Sequence, residues 1–224
     1  MIENLSGTDQ KDRQRAKRMG IAPSARLRRH FLALARQSRH WFDNRPATGQ
    51  TRSIGVTSLG EGVGTSTIAY NLSVSLTSLA RCRTLLVETN FGKHFITRRM
   101  GNARNPGFSE VLTGMAEMED SVVETPIAGL NVLGCGQVTE QFALELPFDE
   151  LPETINRCFL DYQYTVFDLP SANHLTACYS IVPNLDGVIL AVDASQIDHR
   201  QIKRFRRMMD SLDVEIIGLV INKQ

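Results

Sequence analysis

The sequence predicts an α/β domain on a doubly wound, mainly parallel sheet, and three observations carry that reading. Short apolar or β-branched runs recur along the chain, and segments with helical spacing of apolar residues lie between them. The run at 187–193 (GVILAVD) is continuously apolar, as expected of a strand buried on both faces. Strands alternating with helices give right-handed parallel crossovers, with helices covering both faces of the sheet in three layers. Ligands of such sheets sit beyond the carboxyl ends of the strands.

The elements follow in order. A β-branched run at Ile54, Val56 and Thr57 leads into a loop with glycines at 60, 62 and 64. Thr65, Ser66 and Thr67 then open a segment whose apolar residues recur at Ile68, Leu72, Leu76 and Leu79. The local reading is strand, glycine loop, helix N-terminus, which turns backbone N–H groups and a helix dipole toward a polyphosphate. A phosphate loop ordinarily has a lysine directly after its last glycine. Here Thr65 holds that place.

Residues 83–90 (RTLLVETN) read as a strand ending in polar residues. A turn at 102–107, a short helix at 108–113 and a strand at 130–133 (LNVL) follow, the last running into Gly134-Cys135-Gly136. A helix is expected over 149–160, then a hydrophobic strand at 164–168 (YTVFD) ending in Asp168. Residues 199–212 are an amphipathic helix, with Ile202, Phe205, Met209 and Leu212 on one face and Lys203, Arg204, Arg206 and Arg207 outside. The last strand is 215–222 (EIIGLVIN). This arrangement brings the glycine loop, residues 88–90, Asp168 and Asn222 to one end of the sheet.

Composition sets the bounds. The 224 residues are 42% hydrophobic and 22% charged, as in a water-soluble globular protein, with length enough for one α/β domain and an appendage. No apolar run approaches a membrane span and the N-terminus lacks a signal-peptide core, so a cytoplasmic location is expected. Cys82, Cys135, Cys158 and Cys178 are widely spaced, which favours reduced thiols over metal ligands or disulfides. Residues 1–53 hold 12 Lys/Arg against 4 Asp/Glu, whereas the remainder holds 13 against 20. A basic arm over 1–50 therefore joins an acidic domain over 51–224. The arm is expected to be disordered over 1–22, helical from Pro23 to Trp41 with Leu27, Phe31, Leu34 and Ala35 on one stripe, and a linker over 44–50. The first reading is a short docking helix with a solvated basic face, and its arginines also suit a partner subunit or an anionic membrane surface. Nothing in it resembles a base-reading motif, so nucleic acid is not an expected partner.

Several ordered segments together resemble one family: VTSLGEGVGTSTIAYNLS, TLLVETNFGKHF, GFSEVLTG followed by SVVETPIAGLNVLGCG, YTVFDLPSA, and GLVINK. They are similar to the cytoplasmic P-loop domain of bacterial tyrosine kinases of capsule and exopolysaccharide synthesis, relatives of the MinD/ParA ATPases, over about residues 53–223. The resemblance implies a P-loop NTPase fold, ATP or ADP with Mg²⁺ as ligands, and a membrane-embedded polysaccharide chain-length or export protein as partner. It also implies homo-oligomerisation, while the basic arm itself suits peripheral contact with the inner membrane.

Carried over, Gly60, Glu61, Gly62, Val63, Gly64, Thr65, Ser66 and Thr67 bind the phosphates, Ser66 and Asp168 hold Mg²⁺, and Asn222 reads the adenine edge. Glu88 and Asp168 are the carboxylates available for catalysis. The departures point one way. Thr65 replaces the loop lysine. Glu88-Thr89-Asn90 replaces an Asp-x-Asp motif, and Asn90 cannot serve as a base because an amide takes no proton near neutral pH. The tyrosine-rich tail that such kinases phosphorylate has no counterpart before Gln224, and Tyr70, Tyr162, Tyr164 and Tyr179 lie within the domain. The expected function is that of a pseudokinase-like accessory or regulatory protein with weak or no phosphoryl transfer. Two alternatives stay open: an ATP-hydrolysing switch of the MinD/ParA type, and a tyrosine kinase rescued by a partner. The missing charge could come from Lys93, three residues past Asn90 where the family usually has an arginine, or from an Arg or Lys of a second subunit.

Overall fold

The computed structural model describes residues 25–45, 52–101, 105–137, 147–173 and 175–223. The segment expected to be disordered, Pro23, residues 46–50 of the linker, the start of the turn at 102–107 and His174 lie outside the described residues. In chain order the elements are α1 (Ala25–Asp43), β1 (Arg52–Ser58), α2 (Thr65–Ala80), β2 (Thr84–Glu88), α3 (Phe95–Met100), α4 (Phe108–Leu112), α5 (Met118–Ser121) and β3 (Val122–Glu124). Then come β4 (Leu130–Leu133), α6 (Leu151–Arg157), β5 (Tyr164–Asp168), α7 (Leu175–Ile181), β6 (Gly187–Asp193), α8 (His199–Ser211) and β7 (Glu215–Asn222).

The strands form one sheet in the order β3-β4-β2-β5-β1-β6-β7. All neighbours are parallel except β3, which runs antiparallel to β4 at the edge. The alternation of strand side chains divides the interior into two cores. Leu85, Val87, Phe167, Val188, Leu190 and Val192 face one core, completed by Val111, Leu112, Ile155, Phe205 and Met209. Ile54, Val56, Leu86, Val166, Ile189 and Ala191 face the other, under Ile68, Leu72 and Leu76 of α2 and Ala35 and Phe42 of α1. Each such fully buried aliphatic or aromatic side chain contributes about 1.5–3 kcal/mol. The sheet is therefore rigid where its strand ends carry the site.

Helix α1 lies on α2. Ala35, Ser38 and Phe42 are buried, while Arg26, Arg28, Arg29, Arg36 and Arg39 are exposed. Its apolar stripe fades at Leu27, which is 48% exposed. The C-terminal end is tied down by Asp43, 2.9 Å from Arg52, and by Arg45, which stacks 3.9 Å over Trp41 and pairs with Glu215.

Several elements differ from expectation, and the short helices α3, α5 and α7 were not anticipated. The helix expected over 149–160 begins as a 3₁₀ turn at Phe148–Glu150 and is α-helical only over Leu151–Arg157. Pro152 sits in its first turn, where a missing N–H costs nothing. Strand β3 was not anticipated: its three partly exposed residues are too few for a period-2 signal.

Candidate functional site

The loop between β1 and α2 is held open by its backbone. Gly62 and Gly64 have φ of +74° and +93°, the left-handed region that glycine enters without penalty. Val63 between them is buried in the α1/α2 core and anchors the loop. Around it, Ser58 Oγ donates to the Gly60 carbonyl (2.6 Å), Asn173 Nδ2 to the Leu59 carbonyl (2.6 Å), Ser171 Oγ to the Ser58 carbonyl (3.2 Å) and Asn222 Nδ2 to the Val63 carbonyl (2.8 Å). Braces from β5 and β7 thus fix a loop that belongs to β1.

Gly64, which has no side chain to cap with, is the N-cap of α2. The first N–H groups of a helix have no intrahelical partner, and the dipole of this 16-residue helix adds partial positive charge beside the loop.

Behind the loop, Glu88 and Asp168 stand opposite each other in the β2–β5 register. Both are fully buried. Both oxygens of Asp168 lack a hydrogen-bond partner among the described residues. Burial, and then the charge of Glu88, push its carboxyl well above the usual carboxylate range. The nearby Ser66 hydroxyl and the Lys93 ammonium pull weakly the other way. Ser66 is itself only 9% exposed.

Glu88 is saturated instead. Oε1 accepts the Ile96 N–H (2.7 Å), and Oε2 accepts the Thr97 N–H (2.9 Å) and the Thr97 hydroxyl. Its carboxylate thus caps the first turn of α3. Thr97 Oγ1 in turn accepts from the Cys135 N–H (3.2 Å), tying this corner to the turn after β4. Asn90 begins the loop beyond β2, where its carbonyl accepts the Lys93 N–H (3.1 Å). Lys93 Nζ lies 3.4 Å from Glu61 Oε2, so the loops after β1 and β2 meet across the site.

The segments GFSEVLTG and NVLGCG form a clamp outside the site. Phe108 N–H donates to the Gly134 carbonyl (2.7 Å) and Ser109 N–H to that of Cys135 (3.2 Å). Glu110 accepts from the Gly107 N–H (2.9 Å), the Ser109 hydroxyl (2.8 Å) and the Gln137 N–H (3.0 Å). A Cβ at Gly107 would run into the backbone of Gly134 and Gly136. The cysteines are free thiols: Cys135, Cys158 and Cys178 are buried, and burial pushes the last two up to about 12. No group of three or more His, Cys, Asp or Glu able to hold a metal occurs among the described residues.

The site therefore unites Gly60–Thr67, Asp168 and Asn222, with Glu88 behind α3 rather than facing the loop. Sequence reasoning missed the braces Ser171 and Asn173 and the Glu61–Lys93 pair. The only signal for the former is that they follow Asp168 in the same segment. The Mg²⁺ implied by the fold fits what is here: two unpaired buried carboxylate oxygens beside a hydroxyl are hard oxygen donors of the type Mg²⁺ takes, usually with phosphate and water completing its shell.

The order of strands, the open glycine loop and the lone carboxylate at the end of β5 define a P-loop NTPase fold of the MinD/ParA kind. No family profile matches the chain. Its curated relatives are bacterial tyrosine-protein kinases. It is 24% identical to the tyrosine-protein kinase CpsD of Streptococcus agalactiae over 180 residues, covering 78% of this chain and 76% of that one. It is 23% identical to the putative tyrosine-protein kinase CapB of Staphylococcus aureus, with 79% and 77% covered. Among solved structures, the chimerical protein CapA2B2 superposes with a TM-score of 0.72 at 24% identity, over 86% of this chain and 82% of that one. The kinase domain of the Escherichia coli tyrosine kinase ETK gives 0.74 at 16%, over 84% and 72%. MinD of Pyrococcus horikoshii, complexed with Mg-ADP, gives 0.65 at 23%, over 77% and 70%. No described helix is long and apolar enough to cross a membrane.

Proposed function

We propose that this protein is a nucleotide-binding, kinase-like accessory or regulatory component of a capsule or exopolysaccharide machine, with weak or no phosphoryl transfer. It works in the cytoplasm, at the inner membrane, beside a membrane-embedded chain-length or export protein. The observation that carries the nucleotide reading is Asp168: a buried carboxylate without a hydrogen-bond partner among the described residues, next to Ser66 at the start of α2. A buried polar group left unmatched in this way is costly unless a ligand completes it. Backbone N–H groups of the loop would hold the phosphates, and Ser66 and Asp168 the Mg²⁺, which supplies charge neutralisation on the phosphate oxygens when bound. Asn222 braces the loop from β7, and the family resemblance supports a contact of the same residue with the base.

Weak transfer is supported by what the same corner lacks. Phosphoryl transfer rests on positioning and charge neutralisation. Thr65 brings no charge, Asn90 is no base, and the Glu88 oxygens are bound to α3. One preorganised donor at a reacting centre is worth about 2.7–4 kcal/mol of barrier. Lys93 beside the loop favours a second reading, an ATP-hydrolysing switch or a kinase completed by a partner.

Thermal unfolding with and without ATP–Mg²⁺, joined to an ATP turnover assay, tests both parts. Saturation at a hundred times Kd is expected to raise stability by about 2.7 kcal/mol. Ser66→Ala should reduce the Mg²⁺-dependent share of that gain, with turnover near background in both proteins. No thermal shift with any adenine nucleotide would overturn the binding reading. Robust wild-type turnover abolished by Ser66→Ala would overturn the weak-transfer reading in favour of the switch.

A further inference from the structure

We infer that Lys93 supplies, from the loop after β2, the positive charge that the phosphate loop lacks at Thr65, and that Glu61 holds this lysine until a polyphosphate takes its place. The inference deepens the nucleotide reading above and rests on it. Lys93 belongs to a turn whose backbone is fixed by its own N–H on the Asn90 carbonyl (3.1 Å), so its stem starts at the rim of the site. Its ammonium lies 3.4 Å from a Glu61 oxygen. Glu61 stands between Gly60 and Gly62, in the part of the loop where phosphate-facing backbone is expected. The same ammonium is felt at Asp168, at the floor of the site. One cation therefore reaches both the loop and the buried carboxylate that flank the proposed phosphate position.

The strength of the pair decides how it behaves. The Lys93 and Glu61 side chains are 43% and 65% exposed, and an ion pair so open to water holds weakly. A polyphosphate carries several charges and many acceptor oxygens, and charge-assisted bonds to it are the stronger kind. Lys93 is thus retained at the mouth by a carboxylate that a di- or triphosphate can displace. Glu61 also repels an incoming anion directly, so its charge opposes binding twice. Lys223 next to Asn222 is the other ammonium at this end of the sheet, and it makes no ion pair with the loop among the described residues.

Equilibrium titration of the full chain with a fluorescent ATP analogue in Mg²⁺, and competition by ATP, ADP and adenosine, reads this directly. Lys93→Ala is expected to weaken ATP and ADP by about tenfold or more while leaving adenosine unchanged. Glu61→Gln is expected to tighten ATP by about two- to fivefold, the opposite direction. Adding Thr65→Lys to Lys93→Ala should restore the affinity. Unfolding midpoints of the ligand-free variants, both altered at exposed side chains, should match the wild type. Unchanged ATP affinity in Lys93→Ala, weaker binding in Glu61→Gln, or a loss confined to Lys223→Ala would overturn the inference while leaving the nucleotide site intact. A wild-type protein that binds none of the three ligands would overturn both.

Discussion

Glu88 and Asp168 are the same kind of group in the same kind of place, and their surroundings are opposite. They end adjacent strands, pair in register and are equally buried. Glu88 accepts three hydrogen bonds from the start of α3, whereas Asp168 accepts none among the described residues. Burial alone therefore does not mark a ligand site. What marks it is unmet hydrogen-bonding capacity, because water, a partner or a ligand must supply the missing bonds. The side chain one carbon longer reaches across to a helix, and the shorter one stays at its strand end facing Ser66.

The largest effect that follows concerns stability. Glu88→Ala leaves the Ile96 and Thr97 N–H groups and the Thr97 hydroxyl buried without an acceptor, at a cost of about 3 kcal/mol. For a domain of this size that lowers Tm by roughly 6–12 °C. Glu88→Gln keeps one acceptor and should lose about half as much. Chemical denaturation of the ligand-free proteins checks this. A loss under about 1 kcal/mol for the alanine variant would show that α3 does not depend on its cap.

The second effect is on binding. Thr65→Lys restores a charge at the start of α2, where the helix dipole already favours an anion. ATP–Mg²⁺ should bind about tenfold tighter or better, whereas ligand-free stability should fall, because Thr65 is buried and a lysine ammonium there lacks a partner until nucleotide arrives. Isothermal titration measures the first and thermal unfolding the second. If affinity does not rise, the loop is not shaped around a phosphate, whatever its glycines suggest.

How much of this was legible in the sequence depends on where the partners lie. Strands 130–133, 164–168, 187–193 and 215–222 match their expected bounds residue for residue, because apolar runs with sharp polar ends leave little freedom of register. The expected strand at 83–90 shortens to Thr84–Glu88 because its polar end belongs to the site loop. The shape of the glycine loop was legible too, since positive φ at Gly62 and Gly64 is a demand that sequence records. The task of Glu88 was not: its acceptors serve backbone N–H groups at Ile96 and Thr97, and backbone donors leave no trace in residue type. Nor was the Glu61–Lys93 pair, whose members sit on separate loops that only the sheet order brings together. The particular phrase GFSEVLTG proved to be a clamp on the turn after β4, held by Glu110, rather than part of the phosphate site.

The smallest effect, and the most direct comparison of the two carboxylates, is the pH dependence of ligand-free stability. The Asp168 pKa is raised in the folded protein by burial and by Glu88. Above the unfolded value near 3.8 the folded protein holds a proton that the unfolded chain has released. The folded state then binds more protons, so stability falls as pH rises from that value through the elevated folded pKa, and the loss is complete beyond it. Asp168→Asn removes the titration while keeping the shape. Its stability relative to wild type should therefore grow with pH, reaching a gain of about 1 kcal/mol near neutrality and vanishing at the acid end of the window. Nucleotide with Mg²⁺ should reverse the order, because the wild-type carboxylate then gains a cation and the amide does not. Unfolding midpoints of both proteins across the pH range, with and without ATP–Mg²⁺, decide the matter. A stability difference that stays flat with pH would mean that Asp168 is satisfied without a ligand, and the contrast with Glu88 would lose its meaning.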